Sequence, residues 1–232
     1  FGSSARESYE RHIEAVDAAE RHIAARSARS AVPETRAPGS RPPPGSEPDL
    51  VALAPVLRGC LAASAGHFVL HVRRGEKVRR FVDRADLPLL SQRGCATPDH
   101  VIRTKAMPLL LELRGVAPGD HRAAVEGALD GYRERYRAYV ARQRARVSEP
   151  VQALDPEPRV VLVPGLGLIA VGRSESAAAI AADIYEHTID VIEGAEAVGH
   201  FQALPENDLF DMEYWSLEQA KLSKAAERPL GR

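Results

Sequence analysis

The sequence predicts an α/β fold built around a covered, largely antiparallel sheet, and three stretches carry that prediction. Val160 to Val163 and Leu168 to Val171 are two unbroken apolar runs separated by Pro164-Gly165-Leu166-Gly167. Two such runs around a glycine turn suit a central hairpin buried on both faces. A helix follows them: Ser174 can cap it by accepting a hydrogen bond from a free first-turn N–H, and Ala178, Ala181, Ile184, Thr188 and Val191 share one face. A third stretch, Gly119 to Val147, has helical periodicity and is long enough to cover a sheet face.

With 31 basic and 32 acidic residues among 232, the net charge is close to zero. That balance argues against a polyanion-binding or membrane-surface protein, so neither nucleic acid nor membrane is an expected partner. There is no run of about eighteen apolar residues and no basic-then-apolar start. Cys60 and Cys95 give no disulfide framework and no CxxC pair; they read as small packed hydrophobes in a reducing, cytoplasmic setting. The opening Phe1-Gly2 and the polar tail read as the ends of a piece of a longer polypeptide.

In chain order, Ser3 to Arg26 is a helix with Ser3 or Ser4 as N-cap and Glu7 able to reach back. Tyr9, Ile13, Val16, Ala19 and Ile23 form its apolar stripe, with His12 and His22 off centre. Ala31 to Pro48 carries six prolines and two glycines, too few apolar groups to offset its ordering entropy, and reads as a linker. Asp49 to Ala63 is a short helix that Pro55 breaks or is tolerated in. His67 to Val72 and Val78 to Val82 read as strands joined at Gly75-Glu76, and Asp86 to Gln92 as a short helix or turn. His67 and His71 share a strand face, but two ligands alone do not make a metal site, and a polar rim is the better reading.

The densest chemical cluster is Thr97-Pro98-Asp99-His100-Val101-Ile102-Arg103-Thr104-Lys105. If Val101 to Lys105 is a strand, alternation puts Val101, Arg103 and Lys105 on one face. Asp99, His100, Arg103 and Lys105 could then bind a phosphate or an array of sugar hydroxyls, Arg103 as a fork and Lys105 as a point charge. A structural ion pair at a strand end is an equal alternative. The helix after Gly119 has the stripe Val125, Leu129, Tyr132, Tyr136, Tyr139 or Val140, and Val147. Its other face, with Arg133, Arg135, Arg137, Arg142, Arg144 and Arg146 interleaved by acids, reads as solvated. Pro205 to Lys224 concentrates Phe210, Met212, Tyr214, Trp215 and Leu217 in an acidic segment and reads as a docking arm.

The chain also echoes itself. Residues 1–23 and 171–192 share an apolar residue, a glycine, a short polar run with serine and a helix of like length. The repeat implies two similar units, with Phe1-Gly2 as the end of a strand.

The TPDHVIRTK segment, VVLVPGLGLIAVGRS with IYEHTIDVI, and DLFDMEYWSLEQAKLSK together resemble bacterial bifunctional class II aldolase/short-chain dehydrogenases of the rhamnulose-1-phosphate aldolase/alcohol dehydrogenase type. The likeness covers nearly the whole chain apart from the proline-rich stretch. It implies a class II aldolase/adducin-like layered α/β/α domain with a largely antiparallel sheet, plus an N-terminal helix and linker. Residues 1–28 would be the last helix of a preceding aldolase unit, 29–48 the linker, 49–204 a second aldolase-like domain, and 205–232 a connector towards a dehydrogenase domain. The family implies zinc and NAD for the whole protein, a sugar phosphate substrate, the flanking units as partners, and a homo-oligomer. No cofactor is expected in this stretch: no His-x-His occurs, and Pro164 to Gly167 stands where an active unit would carry its third metal histidine. Gly165 and Gly167 invite a dinucleotide reading, but that requires a helix directly after the glycines to hold the pyrophosphate, and a strand follows instead. The alternative function is an adducin-like scaffold or oligomerisation module.

Overall fold

In the computed structural model, which describes residues 2–27, 48–148, 151–217 and 220, the two apolar runs pair as the expected hairpin. Strand β3 (Val160–Val163) runs antiparallel to β4 (Gly167–Gly172), with Val161 opposite Ile169. All ten residues are buried. Each Val, Leu or Ile side chain so buried contributes roughly 1.5–3 kcal/mol.

The remaining elements assemble around this pair. In chain order they are α1 (Ala5–Ser27), α2 (Leu50–Ala65), β1 (Val69–Arg73), α3 (Glu76–Val82), α4 (Leu87–Leu90), α5 (Val101–Thr104), β2 (Leu109–Leu110), α6 (His121–Arg144), α7 (Glu175–Val198) and α8 (Glu206–Glu213). Sheet order is β1-β4-β3-β2. β1 is antiparallel to β4, while β2 runs parallel to β3. The sheet is thus mixed, because β2 reaches β3 through the α6 crossover and a parallel neighbour needs such a connection.

Strand alternation divides the core. Val161, Val163, Ile169 and Val171 pack with Leu53, Leu57 and Leu61 of α2 and with Val125 and Leu129 of α6. Val160, Leu162, Leu168 and Ala170 pack with Val78 and Phe81 of α3, Leu87 and Leu90 of α4, and Ala181, Tyr185 and Ile189 of α7. α7 starts as its cap predicts: Ser174 Oγ accepts from the Ala177 N–H at 3.1 Å. Its buried face is centred on Ala178, Ala181, Ala182, Tyr185, Thr188, Ile189 and Ile192, so Ile184 and Val191 lie at its margin. Pro55 is accommodated within α2; the carbonyl its missing N–H leaves free belongs to Val51, which is exposed to water.

Two segments read as strands are helices. Val78 to Val82 lies in α3, because Val78, Phe81 and Val82 recur at helical spacing and all three are buried. On its other side Lys77 and Arg80 meet α7 through Asp190 and Glu193, each at 2.9 Å. Val101 to Thr104 is the single turn α5, entered through a 3₁₀ turn that Pro98 begins. Lys105 ends it at φ 62°, so Arg103 and Lys105 do not share a strand face.

α1 and α7 begin alike. Ser4 Oγ accepts from the Glu7 N–H at 3.1 Å, as Ser174 does from Ala177. A Cβ on Gly2 would collide with the backbone N of Ser8, and one on Gly172 with the backbone N of Ala178. Both glycines let the chain turn tightly onto the helix that follows. α1 lies against α7, yet Tyr9, Ile13, Val16 and Ile23 are all exposed. The expectation that Phe1 ends a strand and most of the proline-rich linker (all but Pro48) lie outside the described residues.

Candidate functional site

A cavity of about 400 Å³ opens between α6, the Lys105–Met107 segment and the start of α8. α6 contributes Tyr132, Arg135, Tyr136, Tyr139 and Arg142, whose spacing places them on one helical face. Met107 and Leu209 add apolar wall, and Arg93 and Gln92 close one side.

Lys105 lines this cavity while remaining 3 % exposed. Its Nζ donates to the Asp155 carbonyl at 3.0 Å, stands 3.6 Å from Glu213 Oε1, and sits 3.7 Å from the centroid of the Tyr136 ring. Glu213 is fully buried and accepts from the Tyr136 hydroxyl at 2.8 Å and the Tyr139 hydroxyl at 3.0 Å. Tyr214 joins through its own hydroxyl, 2.9 Å from that of Tyr136. Burial pushes the Lys105 ammonium down to about 8, against the pull of the Glu213 carboxylate. The same burial, reinforced by Glu213, raises the Tyr136 and Tyr139 phenols far above their ordinary range.

The cavity's remaining cations differ in their commitments. Arg93 is held by Glu196 at 2.5 Å and by the Phe201 carbonyl at 3.2 Å. Arg142 pairs with Glu206 at 2.8 Å, both side chains open to solvent. Arg135 has no ion-pair partner among the described residues, and one of its guanidinium nitrogens lies back over Gly131.

Of the four residues singled out in the TPDHVIRTK segment, the structure brings only Lys105 to this cavity. Asp99 is exposed at the 3₁₀ turn, accepting from the Thr97 hydroxyl at 2.6 Å. His100 packs with its Nδ1 buried and without a hydrogen-bond partner, and Arg103 is partly buried on α5. Glu213 and Arg135 escaped sequence reasoning. For Glu213 there was a signal: it follows Leu209 and Phe210 at helical spacing, placing an acid on the apolar face of α8. For Arg135 there was none, since it sits in a row of arginines that alternate with acids.

Arg133, read on the solvated face of α6, is buried instead. It forks onto Glu157 at 2.8 and 3.0 Å and reaches the Cys60 carbonyl at 3.2 Å. Glu157 is fully buried, and a guanidinium is what its two oxygens require there.

The hairpin turn does not suit a metal or a dinucleotide. Leu166 is buried in the core, its N–H bonding the Val163 carbonyl at 2.9 Å, and the Gly165 N–H is taken by Asp83 at 2.7 Å. These residues offer a metal no side-chain donor. Among the described residues no three His, Cys, Asp or Glu side chains are grouped to hold a metal ion. Gly165 and Gly167 adopt positive φ within the turn, and β4 follows directly, so the glycines do not lead into the helix N-terminus that would hold a dinucleotide's pyrophosphate. Neither group fits here, and no chemical step is routed through one.

The fold is a mixed α/β domain, consistent with a class II aldolase domain. Residues 48–222 match the family described as aldolase class II, second domain, and the chain belongs to that family. It is similar to the "Uncharacterized oxidoreductase YuxG" of Bacillus subtilis (strain 168), 32 % identical over 178 residues. That alignment covers 76 % of this chain and 25 % of the relative, so the chain spans about one quarter of the relative's length. No solved structure matches the chain significantly. Among the described residues no helix is long and apolar enough to cross a membrane.

Proposed function

We propose that this chain is the second aldolase-like domain of a bifunctional sugar-phosphate aldolase/short-chain dehydrogenase of the rhamnulose-1-phosphate type, acting in carbohydrate catabolism, and that the domain performs no aldol chemistry by itself. The observation that supports this most is the pairing of an aldolase-family domain with a relative described as an oxidoreductase, of which the domain is one quarter. On this reading zinc and NAD are held by the flanking units, and the domain spaces the two active centres. α1, which repeats the glycine and serine geometry at the start of α7, is the last helix of the preceding aldolase unit. The segment from residue 205 onwards leads towards the dehydrogenase.

The test is a coupled assay on the full-length protein in the cytoplasmic setting this reading implies. Rhamnulose 1-phosphate should be cleaved, a metal chelator should abolish cleavage, and the released aldehyde should reduce NAD. Aldehyde oxidation without cleavage of any ketose 1-phosphate would overturn the reading.

A second reading, an adducin-like assembly module without enzymatic role, is favoured by one observation. Tyr9, Ile13, Val16 and Ile23 form an exposed apolar stripe on α1, larger than an isolated surface residue requires. It expects a homo-oligomer that dissociates when Ile13 and Val16 are both replaced by Asp, with no cleavage activity in either form.

A further inference from the structure

We infer that the β1 edge of the sheet is where a second copy of this chain adds its own β1, antiparallel and about a two-fold axis at His71, joining two four-stranded sheets into one. β1 stands at the end of the sheet and pairs with β4 alone among the described residues. The backbone shows which groups this leaves over. Val171 lies opposite Leu70, yet its N–H is turned the other way, onto the Arg159 carbonyl at 2.8 Å. Leu70 and Val171 are therefore a pair that exchanges no hydrogen bonds, and the N–H and C=O of Leu70 point out of the sheet's edge. Alternation gives Val72 the same direction, whereas Val69, His71 and Arg73 bond inwards to β4. The outward groups of Leu70 and Val72 have no backbone partner among the described residues. Their side chains are also half-covered, while Val171 and Ile169 opposite them are fully buried. No proline or bulge, the usual guards of an edge, interrupts these five residues.

The occupant is a second copy because β1 is complementary to itself. With His71 opposite its counterpart, Leu70 meets Val72 and Val72 meets Leu70, so all the outward N–H and C=O groups of the two residues pair across the axis. Apolar side chains then meet on the face that packs against α2. On the α7 face the same register sets Arg73 against Val69, so no two arginines are opposed. The charges of that face are already matched within each copy: Arg73 holds Asp183 at 2.5 Å, and His71 Nδ1 lies 3.7 Å from Glu175. A two-fold contact uses up both β1 edges and closes at a dimer. It lies on a different element from the α1 stripe, and it does not rest on the bifunctional reading.

Disulfide trapping in the full-length protein tests it. In this register the two copies of residue 71 form a pair without mutual hydrogen bonds, whose Cα atoms stand about 4.5 Å apart, within reach of a disulfide. The two copies of residue 69 lie roughly 13 Å apart along the strands. Under mild oxidation His71→Cys should therefore give a covalent dimer linked through residue 71, at least tenfold more than Val69→Cys gives through residue 69. Mass spectrometry of the linked peptides separates these links from any through other cysteines. Adding Val72→Pro, which removes an outward N–H and no bond to β4, should cut the residue-71 link tenfold or more. Adding Ile13→Asp and Val16→Asp should leave it in place. Equal trapping at residues 69 and 71, or none at either, would overturn the inference. So would a residue-71 link that survives Val72→Pro, or one that is lost with the α1 substitutions, which would assign the dimer to α1. Should Val72→Pro fail to fold, the comparison of His71→Cys with Val69→Cys still decides, with equal thermal midpoints of the two reduced variants as the check on their folding.

Discussion

The Lys105 ammonium and the Glu213 carboxylate stand 3.6 Å apart with almost no access to water. The one ends α5 and the other ends α8, so the pair ties α8 to the body of the domain. Taking two charges out of water is costly, and the cost is met only where further hydrogen bonds satisfy each group. Here two tyrosine hydroxyls complete Glu213, and the Asp155 carbonyl with the Tyr136 ring completes Lys105.

Removing one partner should therefore be severe. Glu213→Ala strands a buried ammonium and two buried hydroxyls and should cost about 3–5 kcal/mol. Glu213→Gln keeps an acceptor for the tyrosines and should cost less. The midpoint of denaturant unfolding checks both. A Glu213→Ala protein as stable as wild type would show that α8 is not held by this contact.

The depressed Lys105 pKa makes a prediction with a definite sign. The unfolded side chain titrates near 10.5 and the folded one at about 8. Between those values the unfolded chain binds more protons, so stability rises with pH through that window. The stability of wild type minus that of Lys105→Met should grow by an order of 3 kcal/mol from pH 8 to 10.5. Cys95, pushed up to about 11 by burial, and the buried tyrosines act in the opposite direction as alkali ionises them in the unfolded chain. They are present in both proteins and drop out of the difference, which paired chemical denaturation series at each pH would measure.

Arg133 and Glu157 offer a second buried pair for comparison. Arg133→Ala leaves a fully buried carboxylate without its fork and should cost about 3–5 kcal/mol, whereas Arg133→Met with Glu157→Met should fall close to wild type. A double variant as unstable as the single one would show that the pair supplies packing no apolar substitute reproduces.

Gly172→Ala should destabilise through contact rather than charge. Its Cβ would meet the backbone of Ala177 and Ala178 at the start of α7, where neither atom can turn aside. Gly127→Ala, on α6 with open space around it, should be neutral or stabilising, since alanine favours a helix interior by about 1 kcal/mol. Thermal midpoints of the two variants should move apart.

Much of the framework was legible because it rests on periodicity. The hairpin, the Ser174 cap and the long helices α6 and α7 follow from apolar spacing and one capping hydroxyl. The short elements were not. Val78 to Val82 and Val101 to Lys105 are five-residue segments in which apolar residues alternate with cations or precede them, too short for periodicity to separate a strand from a helical turn. What separates them is the neighbour: α7 offers acids to the cations of α3, and the φ of Lys105 turns the chain after one helical turn.

The candidate site divides in the same way. Sequence alone marked Lys105 as chemically interesting, because a cation beside a dense polar cluster is uncommon. It also determined that Pro164 to Gly167 carries no metal histidine, because residue identity suffices for that. Only the tertiary structure decided that Lys105 meets Glu213 and Tyr136 rather than Asp99 and Arg103. Burial, the pairing of Arg133 and the freedom of Arg135 depend on which helices face one another. Those contacts join residues far apart in the chain, and no local pattern encodes them.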